Sequence, residues 1–191
     1  MTDSAATPTR IRARIARKTG RAPGRMGYAK LSHLNGIYIR QADDDRLTRE
    51  VLERLAHRPD LALGSKAAER IRALVPALKQ RARTLVELAD AAAFLAHPTP
   101  LPMEPKAAAF LTPEARMMLR EVATALAETD FTPPAIDAAL RAYAEASGRK
   151  LGQVAQPLRA ALTGSTASPG IDATLAALGK EEALARLQAV T

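Results

Sequence analysis

The sequence predicts an all-α protein, and three observations carry that prediction. Ala supplies 42 of the 191 residues and aromatic side chains only 3%, a mix that favours closely packed helices over sheets, which draw on β-branched and aromatic residues. No segment alternates convincingly at period two for more than four residues. Apolar residues recur instead at the i, i+3, i+4 and i+7 spacing of a buried helical face, between readable starts and stops. A chain of this length buries a sizeable core.

The elements follow in order. Residues 1–24 are rich in Arg, Thr, Ala and Gly and poor in apolar side chains, so a basic, disordered tail is expected there. Within it, Ile11 and Ile15 with Arg10, Arg14, Arg17 and Lys18 have the pattern of a short basic amphipathic helix. A solvated tail, a phosphate-binding arm and, from the Arg-rich composition, an organelle transit peptide are the three readings. From Tyr28 the chain becomes structured. Leu31 and Leu34 lead into Asn35-Gly36, read as a helix stop, and Ile37-Tyr38-Ile39-Arg40 reads as a short extended piece. Asp43-Asp44-Asp45 then sets negative charge against the positive start of a helix whose buried stripe is Leu47, Val51, Leu52 and Leu55.

The next helical stretch is expected from about Lys66 to Leu95. Ile71, Leu74, Val75 and Leu78 form its first apolar face, and Leu85, Leu88, Ala89, Ala92 and Leu95 continue it. Pro76 should kink or restart it, because proline lacks the N–H donor and clashes with the preceding turn. His97-Pro98-Thr99-Pro100-Leu101-Pro102 is the clearest punctuation in the chain. Beyond it, Thr112-Pro113, Thr132-Pro133 and Ser168-Pro169 each set a capping hydroxyl before a proline suited to the first helical position. Gly148, Gly164 and Gly179 stand where helix stops are needed. The apolar faces between them are Ala115, Met118, Leu119, Val122 and Leu126, then Ile136, Ala139, Leu140 and Tyr143, then Val154, Leu158, Ala161 and Leu162.

Charge is distributed unevenly. The formal net charge of +8 lies wholly in residues 1–40, where nine Lys/Arg face Asp3 alone; over residues 41–191 the two signs cancel. Inside that neutral body, Ser65–Thr84 carries Lys66, Arg70, Arg72, Lys79, Arg81 and Arg83 against Glu69. A basic stripe on a neutral body suits a nucleic-acid footprint.

Other chemistries are excluded or find little support. The absence of Cys removes disulfides, thiolate metal sites and cysteine nucleophiles. His33, His57 and His97 have no partner at metal-ligand spacing and read as surface or helix-end residues. There is no glycine-rich phosphate loop. Asp43-Asp44-Asp45 and Glu181-Glu182 read as acidic helix starts. No apolar run approaches the roughly 20 residues that cross a bilayer, so no membrane partner and a cytoplasmic location are expected. Arg70, Arg72, Arg81 and Arg83 remain. Each alone reads as a solvated charge packing its stem on neighbours, yet a planar guanidinium also stacks on splayed RNA bases and donates to their edges.

Residues Lys150–Gly164 (KLGQVAQPLRAALTG) followed by Ser168-Pro169-Gly170-Ile171 closely resemble the C-terminal anticodon-binding region of bacterial glutamyl-tRNA synthetase. Leu34–Arg40 (LNGIYIR) and Leu78–Leu85 (LKQRARTL) resemble it in the same order and spacing, from roughly Ala22 to the C-terminus. The resemblance implies a remnant of the stem-contacting segment at 25–46, a first helical anticodon-binding subdomain at 47–97, a Pro-rich linker at 98–104 and a second helical anticodon-binding subdomain at 105–191. By the same resemblance, Arg81 or Arg83 reads the third anticodon base of glutamate tRNA. Arg159 contacts the first two bases, and Ser168, Pro169 and Ile171 line the same pocket.

The family's catalytic part is missing from the resemblance: neither its His-x-Gly-His signature nor its lysine–serine loop is present. Lys30-Leu31-Ser32 resembles the start of that loop, but His33 stands where the second lysine belongs. The expectation is therefore a noncatalytic tRNA-binding module. It should use no cofactor itself, ATP and magnesium being those of the full family enzyme. The alternatives are a subunit or fragment of a glutamate–tRNA ligase whose catalytic domain is on another chain, and a helical regulatory protein that no longer binds tRNA.

Overall fold

In the computed structural model, residues 27–191 are described; the basic tail expected at 1–24 lies outside them. The chain divides into residues 1–31 and 32–191, and the packing that follows is that of the second unit. Among the described residues, ten α-helices run in order: α1 Tyr28–Gln41, α2 Asp44–Leu55, α3 Ser65–Leu78, α4 Leu85–Ala92, α5 Pro105–Ala108, α6 Pro113–Ala127, α7 Pro133–Ala146, α8 Leu151–Thr163, α9 Ile171–Leu178 and α10 Lys180–Val190. A 3-10 turn, Ala93–Leu95, extends α4. Among the described residues there is no strand, as the missing period-two pattern predicts.

The stripes that define these helices are the core. Leu47, Val51 and Leu55 of α2 meet Ile71, Leu74, Val75 and Leu78 of α3 and Leu88, Ala89 and Ala92 of α4, all buried. Met118, Leu119, Val122 and Leu126 of α6 and Ile136 and Leu140 of α7 do the same around Val154, Leu158, Ala161 and Leu162 of α8. Burying one such side chain stabilises the fold by about 1.5–3 kcal/mol. Helix α9 bridges the two groups, packing on α3 as well as on α7, α8 and α10.

The local signals work where their partners are local. Asp43 is the N-cap of α2, its Oδ1 accepting from the Arg46 N–H at 2.8 Å, and Asp44 and Asp45 occupy the first turn. Thr112 caps α6 by accepting from the Ala115 N–H at 3.2 Å. Thr84 caps α4 in the same way through Glu87 at 3.0 Å. Gly148, Gly164 and Gly179 all follow helices at positive φ (66°, 71° and 78°), where a side chain would be strained.

Four expectations are corrected. Asn35-Gly36 does not stop a helix, and Ile37–Arg40 is not extended: both lie inside α1. The Asn35 amide reaches across to donate to the Arg83 carbonyl at 2.6 Å, and Ile39 is buried in the core. Tertiary contact thus outweighs a local stop signal. The stretch from Lys66 to Leu95 is two helices. Pro76 is tolerated in α3, which ends two residues later, and α4 restarts only after the Thr84 cap. Ser168-Pro169 does not open α9 either; Gly170 is its N-cap, because the Ser168 hydroxyl is engaged elsewhere. Thr132 sits at the N-cap of α7 without a side-chain capping bond.

Candidate nucleic-acid interface

The basic stripe of 65–84 is largely neutralised by folding. Lys79 pairs with Asp44 at 2.7 Å and Arg72 with Asp45 at 2.8 Å, so the acidic start of α2 answers two of its cations. Arg70 meets Glu182 at 3.1 Å and Lys66 meets Glu181 at 3.3 Å, both from the first turn of α10. Among the described residues, the side chains of Arg81 and Arg83 form no ion pair. Of the cations in that stripe, the two left without a carboxylate partner therefore lie in the segment between α3 and α4.

Arg81 lies just after α3 and points toward the loop that joins α8 to α9. Its Nη1 donates to the Ser168 carbonyl at 2.9 Å. Arg159 projects from α8 toward the same residue, and its Nε donates to the Ser168 hydroxyl at 2.8 Å. That hydroxyl in turn donates to the Pro169 carbonyl at 3.1 Å. Ser168 and Pro169 are buried, Arg159 is half-buried, and Arg81 is exposed. Burial holds the Arg159 guanidinium below the ordinary arginine range, and the neighbouring positive charge of Arg81 pushes it the same way. Two like charges converge on one serine, and neither has a carboxylate partner among the described residues. Such an arrangement suits an electron-rich ligand.

A pocket of about 170 Å³ opens at this point, lined by Leu78, Ala82, Ala91 and Ala167 together with Arg81, Ser168 and Pro169. The small side chains leave flat apolar wall next to directional donors, the combination that accepts a planar base. Of the residues singled out from the sequence, Arg81, Arg159, Ser168 and Pro169 come together here. Arg83 does not. Its side chain is exposed, while its backbone faces α1, with the carbonyl taking the Asn35 amide and Cα 3.6 Å from where a Gly36 side chain would begin. Ile171 begins α9 and packs partly against the core.

Two long-range structural supports were not legible from the sequence. One is Asn35, whose amide anchors the Arg83 carbonyl from 48 residues away. The other is Arg186, 1% exposed, which donates to Glu182 at 2.8 Å and to the Leu162 carbonyl at 2.8 Å. A further donation to the His97 carbonyl, at 3.3 Å, lets it tie α10 to the end of α8 and to the Pro-rich segment. Lys30-Leu31-Ser32 lies within α1 rather than in a loop. The described residues offer no group of three or more His, Asp or Glu that could hold a metal ion, and none of their helices is long and apolar enough to cross a membrane.

Comparison with known proteins points in one direction. The profile of the anticodon binding domain family matches residues 46–191. Glutamate–tRNA ligase 1 of Gluconacetobacter diazotrophicus is 59% identical over 172 residues, which is 90% of this chain and 37% of that protein. Glutamate–tRNA ligase 1 of Gluconobacter oxydans is 58% identical over 172 residues, 36% of its length. The chain therefore spans little more than a third of the relatives it matches. Among solved structures, a glutamate tRNA ligase of Elizabethkingia meningosepticum shares the fold at a TM-score of 0.72, with 24% identity over 86% of this chain and 32% of that one.

Proposed function

The chain belongs to the anticodon binding domain family, and from that premise we propose that it is the module of a glutamate–tRNA ligase that grips the anticodon loop of glutamate tRNA, without catalysis of its own. The observation that carries the reading is the convergence of Arg81 and Arg159 on Ser168 beside a small apolar pocket. In this proposal Arg81 faces the third anticodon base, where the pairing edge of cytosine carries two acceptors and one donor and that of guanine one acceptor and two donors. A guanidinium has only donors to offer, so it favours cytosine. Arg159 meets the first two bases, with Ser168, Pro169 and Ile171 forming the pocket around them. ATP and magnesium belong to the catalytic part of the ligase, and no step here runs through either.

The test is a titration of the protein with an RNA hairpin carrying the glutamate anticodon loop and with the same hairpin bearing G at the third anticodon position. Preferential binding of the first supports the proposal; equal affinity for the two contradicts it.

A second reading is favoured by a separate surface. Tyr38 is 69% and Val86 46% exposed, and Tyr38 borders a groove that also involves Ile39, Leu47 and Leu85. The exposed apolar side chains of Tyr38 and Val86, with Asn35, Gln41, Arg46 and Glu50 also lining the groove, suit docking onto the remainder of a ligase, carried on another chain or elsewhere in a longer one. Co-purification with a chain bearing the nucleotide-binding domain, and aminoacylation that rises on mixing, would support this reading. No gain on mixing would contradict it.

A further inference from the structure

Resting on the anticodon-reading proposal, we propose that Ser168 is a positioning residue that couples the two arginines: its carbonyl oxygen fixes Arg81 and its hydroxyl oxygen fixes Arg159, so that neither guanidinium is set independently of the other.

The hydrogen-bond inventory supports this assignment. A serine hydroxyl has one proton and two lone pairs. The proton is committed to the Pro169 carbonyl at 3.1 Å, so toward Arg159 the oxygen acts only as an acceptor, and the Arg159 Nε–H fills that role at 2.8 Å. Ser168 is 8% exposed, which limits the water available to replace either partner. Among the described residues, no hydrogen bond takes up the terminal nitrogens of Arg159 or the Nε and Nη2 of Arg81, which face a ligand as donors. The two cations repel, so Arg159 remains beside Arg81 because its Nε is held. Removing the hydroxyl frees Arg159 to swing away, which alters both its own reach and the field at Arg81. Thr at this position keeps the hydroxyl and with it the anchor.

Two measurements read the coupling. The first needs no RNA: the ¹⁵N-resolved Nε–H of Arg159 should exchange slowly with solvent in the native protein and in Ser168→Thr, and at the rate of a free arginine in Ser168→Ala. The second is a mutant cycle on hairpin affinity. Loss of a hydrogen bond to a charged group costs roughly tenfold in binding, so Arg81→Ala and Arg159→Ala should each weaken the hairpin by about that factor. The double variant should then lose well under their product, and Arg159→Ala should add less than about twofold in a Ser168→Ala background. If Ser168→Ala does not fold, Arg159→Lys removes the Nε donor and keeps the charge; it should lose as much affinity as Arg159→Ala. Equal exchange of Arg159 Nε–H in native protein and Ser168→Ala, or effects that multiply fully, would overturn the coupling. A slowly exchanging Nε–H in a protein without affinity for the hairpin would support the anchor and contradict the anticodon reading.

Discussion

The carbonyl of Pro102 occupies the space that a side chain on Gly164 would need. A Cβ built there would stand 2.1 Å from that oxygen, and the residue has φ +71°. Two residues after Pro102, the Glu104 N–H donates to the Gly164 carbonyl at 2.8 Å. The Pro-rich segment is therefore docked on the end of α8, the helix that carries Arg159.

Gly164→Ala should accordingly cost more than a left-handed backbone penalty alone. That penalty is about 1–2 kcal/mol, and the clash with a backbone atom should bring the total to roughly 3 kcal/mol or more. Gly148 has φ +66° and open space around it, so Gly148→Ala should lose only the first amount. Urea unfolding of the two variants checks the difference.

The opposite outcome is expected at Gly36. It lies inside α1, and an added Cβ would meet the end of the Arg40 side chain at 3.4 Å and the Arg83 Cα at 3.6 Å, ordinary contact distances. Since Ala favours a helix interior over Gly by about 0.5–1 kcal/mol, Gly36→Ala should be neutral or stabilising by up to that amount in thermal unfolding. Asn35→Ala should instead destabilise by about 1 kcal/mol, through the unpaired Arg83 carbonyl.

These two glycines also show what the sequence discloses. The stripe Ile71, Leu74, Val75 and Leu78 is legible because a helical face is a property of neighbours in sequence, and all four residues are buried. Gly164 is legible as a stop for the same reason, whereas its contact with Pro102 depends on a segment 62 residues away. Asn35-Gly36 misleads because its deciding partner, the Arg83 carbonyl, is 48 residues distant. The basic stripe misleads in the same way: the carboxylates of Asp44, Asp45, Glu181 and Glu182 reach it only in three dimensions. Spacing alone does not join Arg81 to Arg159. Their candidacy came from resemblance, and their meeting at Ser168 is visible only in the fold.

Arg186 should be among the least replaceable charges in the described chain. It is fully buried and bonded to Glu182 and to the carbonyls of Leu162 and His97. Arg186→Ala leaves Glu182 half-paired and those carbonyls short of a donor, a loss of about 3–5 kcal/mol. The unfolding midpoint of that variant measures it.

Acid should weaken the same cluster. Burial raises the Glu182 carboxyl, but its hydrogen bond to Arg186 and the charges of Arg186 and Arg70 outweigh that effect and hold it below its ordinary 4.5. A carboxylate depressed in the folded state binds protons more readily when unfolded. Its stabilisation is thus complete above 4.5 and is lost as pH falls through the lower, folded value. Glu182→Gln should be less stable than the native protein at neutral pH, with a flatter acid limb below pH 4.5 in a stability–pH profile.

The most direct test of the central claim is the ratio of affinities for hairpins with C and with G at the third anticodon position, measured for the native protein, Arg81→Ala and Arg83→Ala. Losing a base-reading contact costs about 1–3 kcal/mol of discrimination. The ratio should therefore fall by that amount in Arg81→Ala and stay within twofold of native in Arg83→Ala. An unchanged ratio in Arg81→Ala would contradict the assignment of this arginine as the base reader.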